Sequence, residues 1–315
     1  MTAVQAVKID RITLIVSDLD RAEDDYVTAF GCAVEGRDAI ERSLTSVLGI
    51  PEASGRRSLL RLGRERIELL EFTDLMGQPY PCDSTSTDIW FQHMAIVVND
   101  MAGAHQHITA NERFQPISRA GPVRLPDKSG GVTAFKFRDH DRHPLELIAF
   151  PAKRGPSEWR SADDPELFLG IDHTAIGVSD SDVSTTFFRS VFGFSVGTNS
   201  ENRGAAQAEL DDVDDVQVSV TQLAQDLPAP RMELLQYHVG TRRPIPRDTA
   251  GNDIAATHSA VQVTSLDTTA AALARFGTPL TADDLMTLEG GVPAALVSGP
   301  DGHRFLVEER TTATP

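Results

Sequence analysis

The chain has 315 residues, enough for two ordinary domains, and its 40% hydrophobic and 24% charged residues are typical of a soluble globular protein. The net charge of −17 argues against nucleic acid and against anionic membranes as partners. No apolar run approaches the roughly 20 residues that cross a bilayer, and the N-terminal stretch MTAVQAVKIDR lacks the apolar segment of a signal peptide. We therefore expect a cytoplasmic protein. Cys32 and Cys82 form neither a disulfide framework nor a CxxC motif.

One pattern occurs four times along the chain. Each copy is a β-branched run, then a turn containing Asp, Asn or Ser, and then a helical pattern, and the copies begin at Ile9, Phe91, Ile171 and Ala256. Equivalent positions recur at offsets of 82, 80 and 85 residues. Strand-like runs follow each helical pattern, so each unit is predicted to be β-α-β-β-β.

Units one and three contain features beyond this common pattern. Segment 38–55 of unit one is an additional piece, for which we predict a helix from Ala39 to Leu48. In unit three, the runs AAQAELDDV, VQVSVTQL and RMELLQY are predicted to be consecutive strands.

A polar stretch rich in Pro and Gly divides the chain near its middle. We predict a domain of two units over residues 1–152, a linker over residues 153–168 and a second domain of two units over residues 169–315.

Ionisable side chains occupy strand positions that ordinarily carry Leu or Val. His93 and His173 lie early in the first strands of units two and three, and Glu146 and Glu233 lie on the last strands of the same units. Imidazole nitrogens and carboxylate oxygens hold first-row divalent cations, and the two-residue period of a strand aims them at one face. A single buried histidine is more often a satisfied core residue, but matched positions in two repeats favour a metal site.

The β-α-β-β-β unit with a His near the start of its first strand and a Glu on its last strand resembles the vicinal oxygen chelate superfamily. The matching phrases are IDHTAIGV, WFQHMAIVV, RDHDRHPLELIAF, RMELLQY and SGPDGHRFLVEE, and the resemblance covers nearly the whole chain. Members include glyoxalase I, methylmalonyl-CoA epimerase, extradiol ring-cleaving dioxygenases and resistance proteins for fosfomycin or bleomycin. The resemblance implies an α+β fold in which four βαβββ modules form two cupped mixed β-sheet barrels. It also implies a divalent metal held by the first and last strands of paired units.

The resemblance implies four ligand positions for each pair of units. They are His93, Glu146, His173 and Glu233 in units two and three, and Arg11, Glu68, His258 and Leu306 in units one and four. Pairing in sequence order would leave two incomplete ligand sets. Crossed pairing gives one complete and one degenerate set, and we favour it. A cation at a ligand position excludes a metal electrostatically, so we expect Arg11 to form a structural ion pair with Glu68.

The complete set is expected to hold one divalent metal ion, which is Zn, Ni, Co, Mn or Fe. The metal would polarise a small-molecule substrate with vicinal oxygens, and Glu146 or Glu233 would be the catalytic base of an isomerase or lyase of the glyoxalase or epimerase type. An extradiol dioxygenase is an alternative, although the strands TAFKF and VPAALV lack the Tyr that such members usually carry. A small-molecule (antibiotic) binding or resistance protein is another. We expect a monomer or a homodimer.

Further expectations concern residues around the ligands. Arg231, Gln236 and Tyr237 share a strand with Glu233 and are expected near the metal. His143, which begins the strand of Glu146, is expected to support the ligands. Phe135 and Phe137 are expected to line the cup.

Overall fold

The computed structural model describes residues 6–152, 154–159, 166–225, 230–239 and 241–310, so residues 153 and 160–165 of the predicted linker lie outside the described residues. The elements of units one and two are β1 (Ala6–Ile15), α1 (Leu19–Phe30), β2 (Ala33–Ala39), α2 (Arg42–Val47), β3 (Gly55–Leu62), β4 (Glu65–Phe72), β5 (Gln92–Val98), α3 (Met101–Thr109), β6 (Gln115–Pro116), β7 (Val123–Arg124), β8 (Thr133–Arg138) and β9 (Pro144–Ala149). The elements of units three and four are β10 (Phe168–Gly177), α4 (Ser181–Phe187), β11 (Ser195–Arg203), α5 (Ala205–Asp211), β12 (Gln217–Ala224), β13 (Arg231–Tyr237), β14 (His258–Val263), α6 (Leu266–Phe276), β15 (Met286–Leu288), β16 (Val292–Ser298) and β17 (Arg304–Glu309). Within these residues, no helix has the length and apolar character needed to cross a membrane.

The first helices of the repeats begin and end at the same kinds of residue. Asp18, Asp180 and Ser265 precede α1, α4 and α6, and each side chain accepts hydrogen bonds from backbone N–H groups of the first turn. Gly31 and Gly277 end α1 and α6 with φ angles of 72° and 99°, which a residue with a side chain rarely adopts. The same local signals therefore fix the helix in different repeats.

Two elements differ from the sequence predictions. The extra helix of unit one covers only Arg42–Val47, because Ala39 belongs to β2, where it pairs with Arg56 of β3. The run AAQAELD in unit three is not a strand but helix α5, and β11 before it supplies the strand that pairs with β12. Ala, Gln, Glu and Leu are strong helix formers, and their preference prevails in this run.

The strands form two mixed sheets, and each sheet combines units from both halves of the chain. Among the described residues, units one and four form an eight-stranded sheet in the order β15-β16-β17-β14-β1-β4-β3-β2. Units two and three form a nine-stranded sheet in the order β11-β12-β13-β10-β5-β9-β8-β6, with β7 also paired to β8. An antiparallel pair of first strands lies at the centre of each sheet, β1 with β14 and β5 with β10. The predicted crossed pairing of units is confirmed, as is the α+β fold of four βαβββ modules in two cupped sheets.

The hydrophobic core joins the units in the other order. One large cluster packs unit one against unit two and includes Leu14 and Ile96. A second packs unit three against unit four and includes Phe188 and Phe305. Strand pairing thus connects units one to four and two to three, whereas the two largest apolar clusters connect one to two and three to four. The two largest apolar clusters lie mostly on opposite sides of residues 153–168, whereas both sheets contain strands from both sides. The division into two domains at these residues therefore stays a prediction.

The sheet of units one and four carries an ion-pair cluster at the degenerate ligand positions. Arg11 donates from Nε to Glu68 Oε2 at 3.1 Å, and from Nη1 and Nη2 to the Glu308 carboxylate at 3.0 and 2.7 Å. The sequence indicated the partner Glu68 but not Glu308, which follows Leu306 by two residues on the same face of β17. One arginine therefore binds two carboxylates in this cup, and Arg57 Nη1 lies 3.6 Å from the other oxygen of Glu68.

His258 in the same cup is held as a neutral residue. It is 1% exposed, and burial lowers the pKa of its imidazole to about 4. Leu306 of β17 is paired with Ala260 of β14. In the other sheet, Glu146 of β9 is paired with Ala95 of β5 at the corresponding position. His258 therefore has an apolar side chain at the position where the other cup has a carboxylate.

We predict that Arg11→Met lowers the free energy of unfolding by about 3–5 kcal/mol, because Glu308 would stay buried without its arginine partner and Glu68 would keep only the more distant Arg57. Urea denaturation followed by circular dichroism measures the change. Arg56→Met is the matched control, since the Arg56 side chain is 46% exposed and its ion pairs are expected to add little stability. Equal stability of the two variants would contradict a structural role for the Arg11 cluster.

Candidate metal centre

Four ionisable side chains converge on the concave face of the sheet of units two and three. His93 lies on β5 and His173 on β10, the two central antiparallel strands. Glu146 lies on β9 and Glu233 on β13, each parallel to the central strand beside it. The structure therefore brings all four predicted site residues to one cup.

Two alanines form the floor between these side chains. Ala95 of β5 and Ala175 of β10 each lie between a histidine of one neighbouring strand and a glutamate of the other. Neither alanine has exposed surface. Their small side chains leave room above them for the imidazole and carboxylate groups, and the arrangement repeats on the two sides of the β5–β10 pair.

Three of the four residues form a tight group. The ring centroids of His93 and His173 are 5.7 Å apart, and His93 Nε2 lies 3.1 Å from Glu146 Oε2. One potential ligand atom from each of His93, Glu146 and His173 lies within 4.8 Å of the other two. Glu233 stands at the edge of this group, with Oε2 at 3.5 Å from His173 Nε2.

His93 is buried without a well-aligned hydrogen bond. Neither of its ring nitrogens meets the geometry of a hydrogen bond among the described residues, although Nε2 lies 3.1 Å from Glu146 Oε2, and the residue is 3% exposed. Burial lowers the pKa of His93 to about 4, although its contact with Glu146 opposes this, so the imidazole is neutral. Buried polar groups in native proteins nearly always have a partner. A neutral, unpartnered imidazole beside a carboxylate fits a bound cation.

Glu146 is held in its charged form. Burial by itself would raise the pKa of Glu146, but the contact with His93 and the positive charge of Lys136 outweigh it and lower the pKa to about 2. Lys136 lies beside Glu146 on the neighbouring strand β8. The carboxylate is therefore in the charged form that a metal ligand requires.

Asp172 orients the His173 ring through a contact at Nδ1. Its Oδ2 lies 3.0 Å from His173 Nδ1, while its Oδ1 accepts hydrogen bonds from Trp159 Nε1 at 2.7 Å and Arg231 Nη1 at 2.5 Å. A β-bulge between Ile171 and His173 interrupts the alternation of the strand, so the consecutive side chains 172 and 173 contact each other. Such a carboxylate fixes the imidazole ring and leaves Nε2 free to face the site.

Negative charge is concentrated around His173. Burial by itself would lower the pKa of His173, but the carboxylates of Glu233, Asp172 and Glu146 outweigh it and raise the pKa to about 9. Burial and the neighbouring carboxylates raise the pKa of Glu233, although His173 opposes this. Carboxylates that stabilise a proton on His173 would equally stabilise a divalent cation in its place.

The group opens into a cavity of about 370 Å³. Lys136 and Tyr237 line this cavity, and both donate to the buried carboxylate of Asp211, at 2.7 and 3.0 Å. Tyr237 thus lies near the site, as the sequence predicted. The sequence did not indicate Lys136 or Asp211, because their contact joins β8 of unit two to α5 of unit three and leaves no local pattern.

Gln236 does not lie near the metal site, contrary to the prediction from the sequence. Its Oε1 accepts hydrogen bonds from the backbone N–H and the hydroxyl group of Ser181 at 3.0 and 2.8 Å, because the two-residue period of β13 turns it to the face opposite Glu233.

Two further expectations about supporting residues are wrong. Phe135 and Phe137 do not line the cup, because Lys136 between them faces it and the two-residue period turns both rings into the opposite core, where they stack with centroids 5.6 Å apart. His143 does not contact the ligands. Its Nδ1 lies 2.8 Å from Asp139 Oδ2, and its Nε2 faces a backbone carbonyl of the segment before β14.

Comparison with known proteins gives a family match over part of the chain and a shared fold over nearly all of it. The family model described as Glyoxalase/Bleomycin resistance protein/Dioxygenase superfamily matches residues 170–307. Glyoxalase I from Zea mays superposes with a TM-score of 0.63 at 18% sequence identity, over 98% of this chain and 92% of that chain. A putative dioxygenase from Bacillus subtilis superposes with a TM-score of 0.57 at 13% identity, over 98% of this chain and 86% of that chain. No curated protein matches the chain at the level of sequence. Residues 170–307 therefore match the Glyoxalase/Bleomycin resistance protein/Dioxygenase superfamily model, and the chain has a glyoxalase-like fold over nearly its whole length.

Proposed function

We propose that the protein is a metal-dependent lyase or isomerase of the glyoxalase or epimerase type. His93, Glu146 and His173 would hold one divalent ion, with Glu233 as a further carboxylate beside it. The observation that carries the proposal is the convergence of ligand atoms from the first three residues within 4.8 Å, at a cavity large enough for a small molecule. Nitrogen and oxygen ligands of this kind accept Zn, Ni, Co, Mn or Fe. The proposed substrate is a small molecule with vicinal oxygens.

The chemistry divides between the ion and the protein. When bound, the ion would supply Lewis-acid polarisation of a substrate oxygen. The chain itself would position the substrate in the cup and transfer a proton. Rigid strands fix the direction of each ligand side chain, which keeps the reacting groups aligned.

Glu233 is the better placed of the two glutamates for proton transfer. Glu146 contacts His93 and belongs to the tight group, whereas Glu233 lies outside it. The Glu233 side chain is 19% exposed, against 9% for Glu146, and it lines the cavity. We propose that Glu233 removes the proton from the carbon next to a substrate carbonyl and returns it to the neighbouring carbon.

A ring-cleaving extradiol dioxygenase is the second candidate function. Two histidines and one carboxylate form the tight group, and this ligand set is typical of non-haem Fe(II) oxygenases. The strand before Glu146 carries Lys136 rather than the Tyr that the resemblance implies for such members, which favours the first candidate. Oxygen uptake with catechols after anaerobic loading with Fe(II) would favour the dioxygenase.

We predict that the purified protein binds one divalent ion per chain and that His173→Ala lowers its affinity for Zn(II) by about 100-fold or more, because a ligand side chain is lost. Elemental analysis and calorimetric titration after chelator treatment measure both quantities. His258→Ala is the matched control, since His258 is equally buried but lies in the cup that contains Arg11. Loss of the metal in the control and its retention in His173→Ala would contradict the assignment.

We predict that Glu233→Gln keeps the metal but slows proton exchange by about 100-fold or more, because the general base is lost. The assay follows, by NMR, deuterium exchange from D₂O into a panel of small α-hydroxyketones and 2-oxo acids in the presence of metal-loaded protein. Glu201→Gln, on the exposed strand β11, is the control and should exchange at the wild-type rate. Undiminished exchange in Glu233→Gln would exclude its role as base.

A further inference from the structure

Two buried amide oxygens in the cavity have no partner. Gln207 Oε1 and Asn202 Oδ1 have no hydrogen-bond partner among the described residues, and both residues line the cavity above the candidate metal centre. Gln207 is 4% exposed and Asn202 is 9% exposed. Because buried oxygens in native proteins are nearly always satisfied, these two point to a ligand that donates hydrogen bonds.

A buried ion pair fixes the orientation of the Gln207 amide. Asp211, whose side chain is fully buried, accepts hydrogen bonds from Lys136 Nζ on Oδ1 and from Tyr237 Oη on Oδ2. Gln207 Nε2 also donates to Asp211 Oδ2, at 2.7 Å. Turning the amide over would place its oxygen against the carboxylate oxygen, which is repulsive. Oε1 is therefore held as an acceptor.

The same contacts restrict the charge of the ligand group. Lys136 and Gln207 bind the same carboxylate, so the Lys136 ammonium group already neutralises Asp211 and leaves no net negative charge there to favour a ligand cation at Gln207 Oε1. A ligand carboxylate would face the Gln207 oxygen without a donor. Neutral donors such as hydroxyl groups satisfy both constraints. Further neutral hydroxyl and amide side chains line the cavity, namely Ser129, Thr198, Asn199, Ser200 and Gln222.

We propose that Gln207 and Asn202 form a second subsite, which binds hydroxyl groups on the part of the substrate that extends away from the metal. The substrate is then a polyhydroxylated, sugar-like molecule whose vicinal oxygens reach the metal centre. This inference rests on the proposed metal-dependent function, because the metal end of the substrate determines which part reaches the subsite.

The test compares two six-carbon acids on Zn-loaded protein by calorimetric titration. D-gluconate and 2-hydroxyhexanoate share a carboxylate and a 2-hydroxyl group for chelation, and they differ in the hydroxyl groups of carbons 3 to 6. Gluconate is expected to bind with a dissociation constant lower by about tenfold or more, since each neutral hydrogen bond contributes a modest but additive share. Equal affinities would overturn the subsite.

Variants assign the difference to the two residues. Gln207→Leu and Asn202→Ala are each expected to reduce the preference for gluconate severalfold while leaving the affinity for 2-hydroxyhexanoate unchanged. Asn202→Ala keeps the test decisive if Gln207→Leu disturbs the buried network. Gln217→Leu, the same substitution as in Gln207 but outside the cavity lining, is the matched control and should keep the full preference. A preference that survives in both Gln207→Leu and Asn202→Ala would overturn the proposal.

The outcomes separate the subsite from the metal centre. If both acids bind equally and only when Zn is present, the subsite is wrong and the metal centre stands. If neither acid binds in a metal-dependent manner, the proposed function fails and the subsite fails with it.

Discussion

Antiparallel pairing of β5 with β10 is the interaction on which the candidate site depends. It joins the second and third quarters of the chain and places His93 and His173 on adjacent strands, with a small alanine beside each. The parallel strands β9 and β13 then add Glu146 and Glu233 from opposite sides. A slip of one residue in this register would turn the imidazoles away from the concave face and into the apolar core. Rigid backbone hydrogen bonding therefore determines where the ionisable groups meet.

Strand pairing and apolar packing connect the units in two different ways, and together they stabilise this geometry. Sheets join unit two to three and unit one to four, whereas the large apolar clusters join one to two and three to four. Neither half of the chain can open without breaking both strand pairing and core packing. Such cooperative packing holds buried carboxylates in place although their desolvation opposes folding. It also supports the β-bulge that lets Asp172 hold His173.

The two cups show how one backbone serves two purposes. In the sheet of units one and four, Arg11 supplies a cation from within the chain and forms ion pairs with Glu68 and Glu308. In the sheet of units two and three, a histidine occupies the position that corresponds to Arg11, and a metal ion is the proposed cation. Two exchanges, guanidinium for imidazole at Arg11 and an apolar side chain for a carboxylate at Leu306, therefore distinguish the structural cluster from the candidate reaction site. The same sheet face also provides Lys136, whose contact with Asp211 organises the proposed hydroxyl subsite.

The sequence by itself determined the fourfold repeat, the βαβββ modules and the choice of His93, Glu146, His173 and Glu233 as candidate ligands. Strand periodicity and repeat spacing can be read directly from the order of residues along the chain. Pairing between units was only favoured by the sequence, since it depends on hydrogen bonds between segments about 80 residues apart in units two and three and about 250 residues apart in units one and four. Tertiary structure alone decided the contacts of Lys136 and Glu308 and the inward core position of Phe135. Each of these depends on which face of a strand meets which neighbour, and no local pattern encodes that choice.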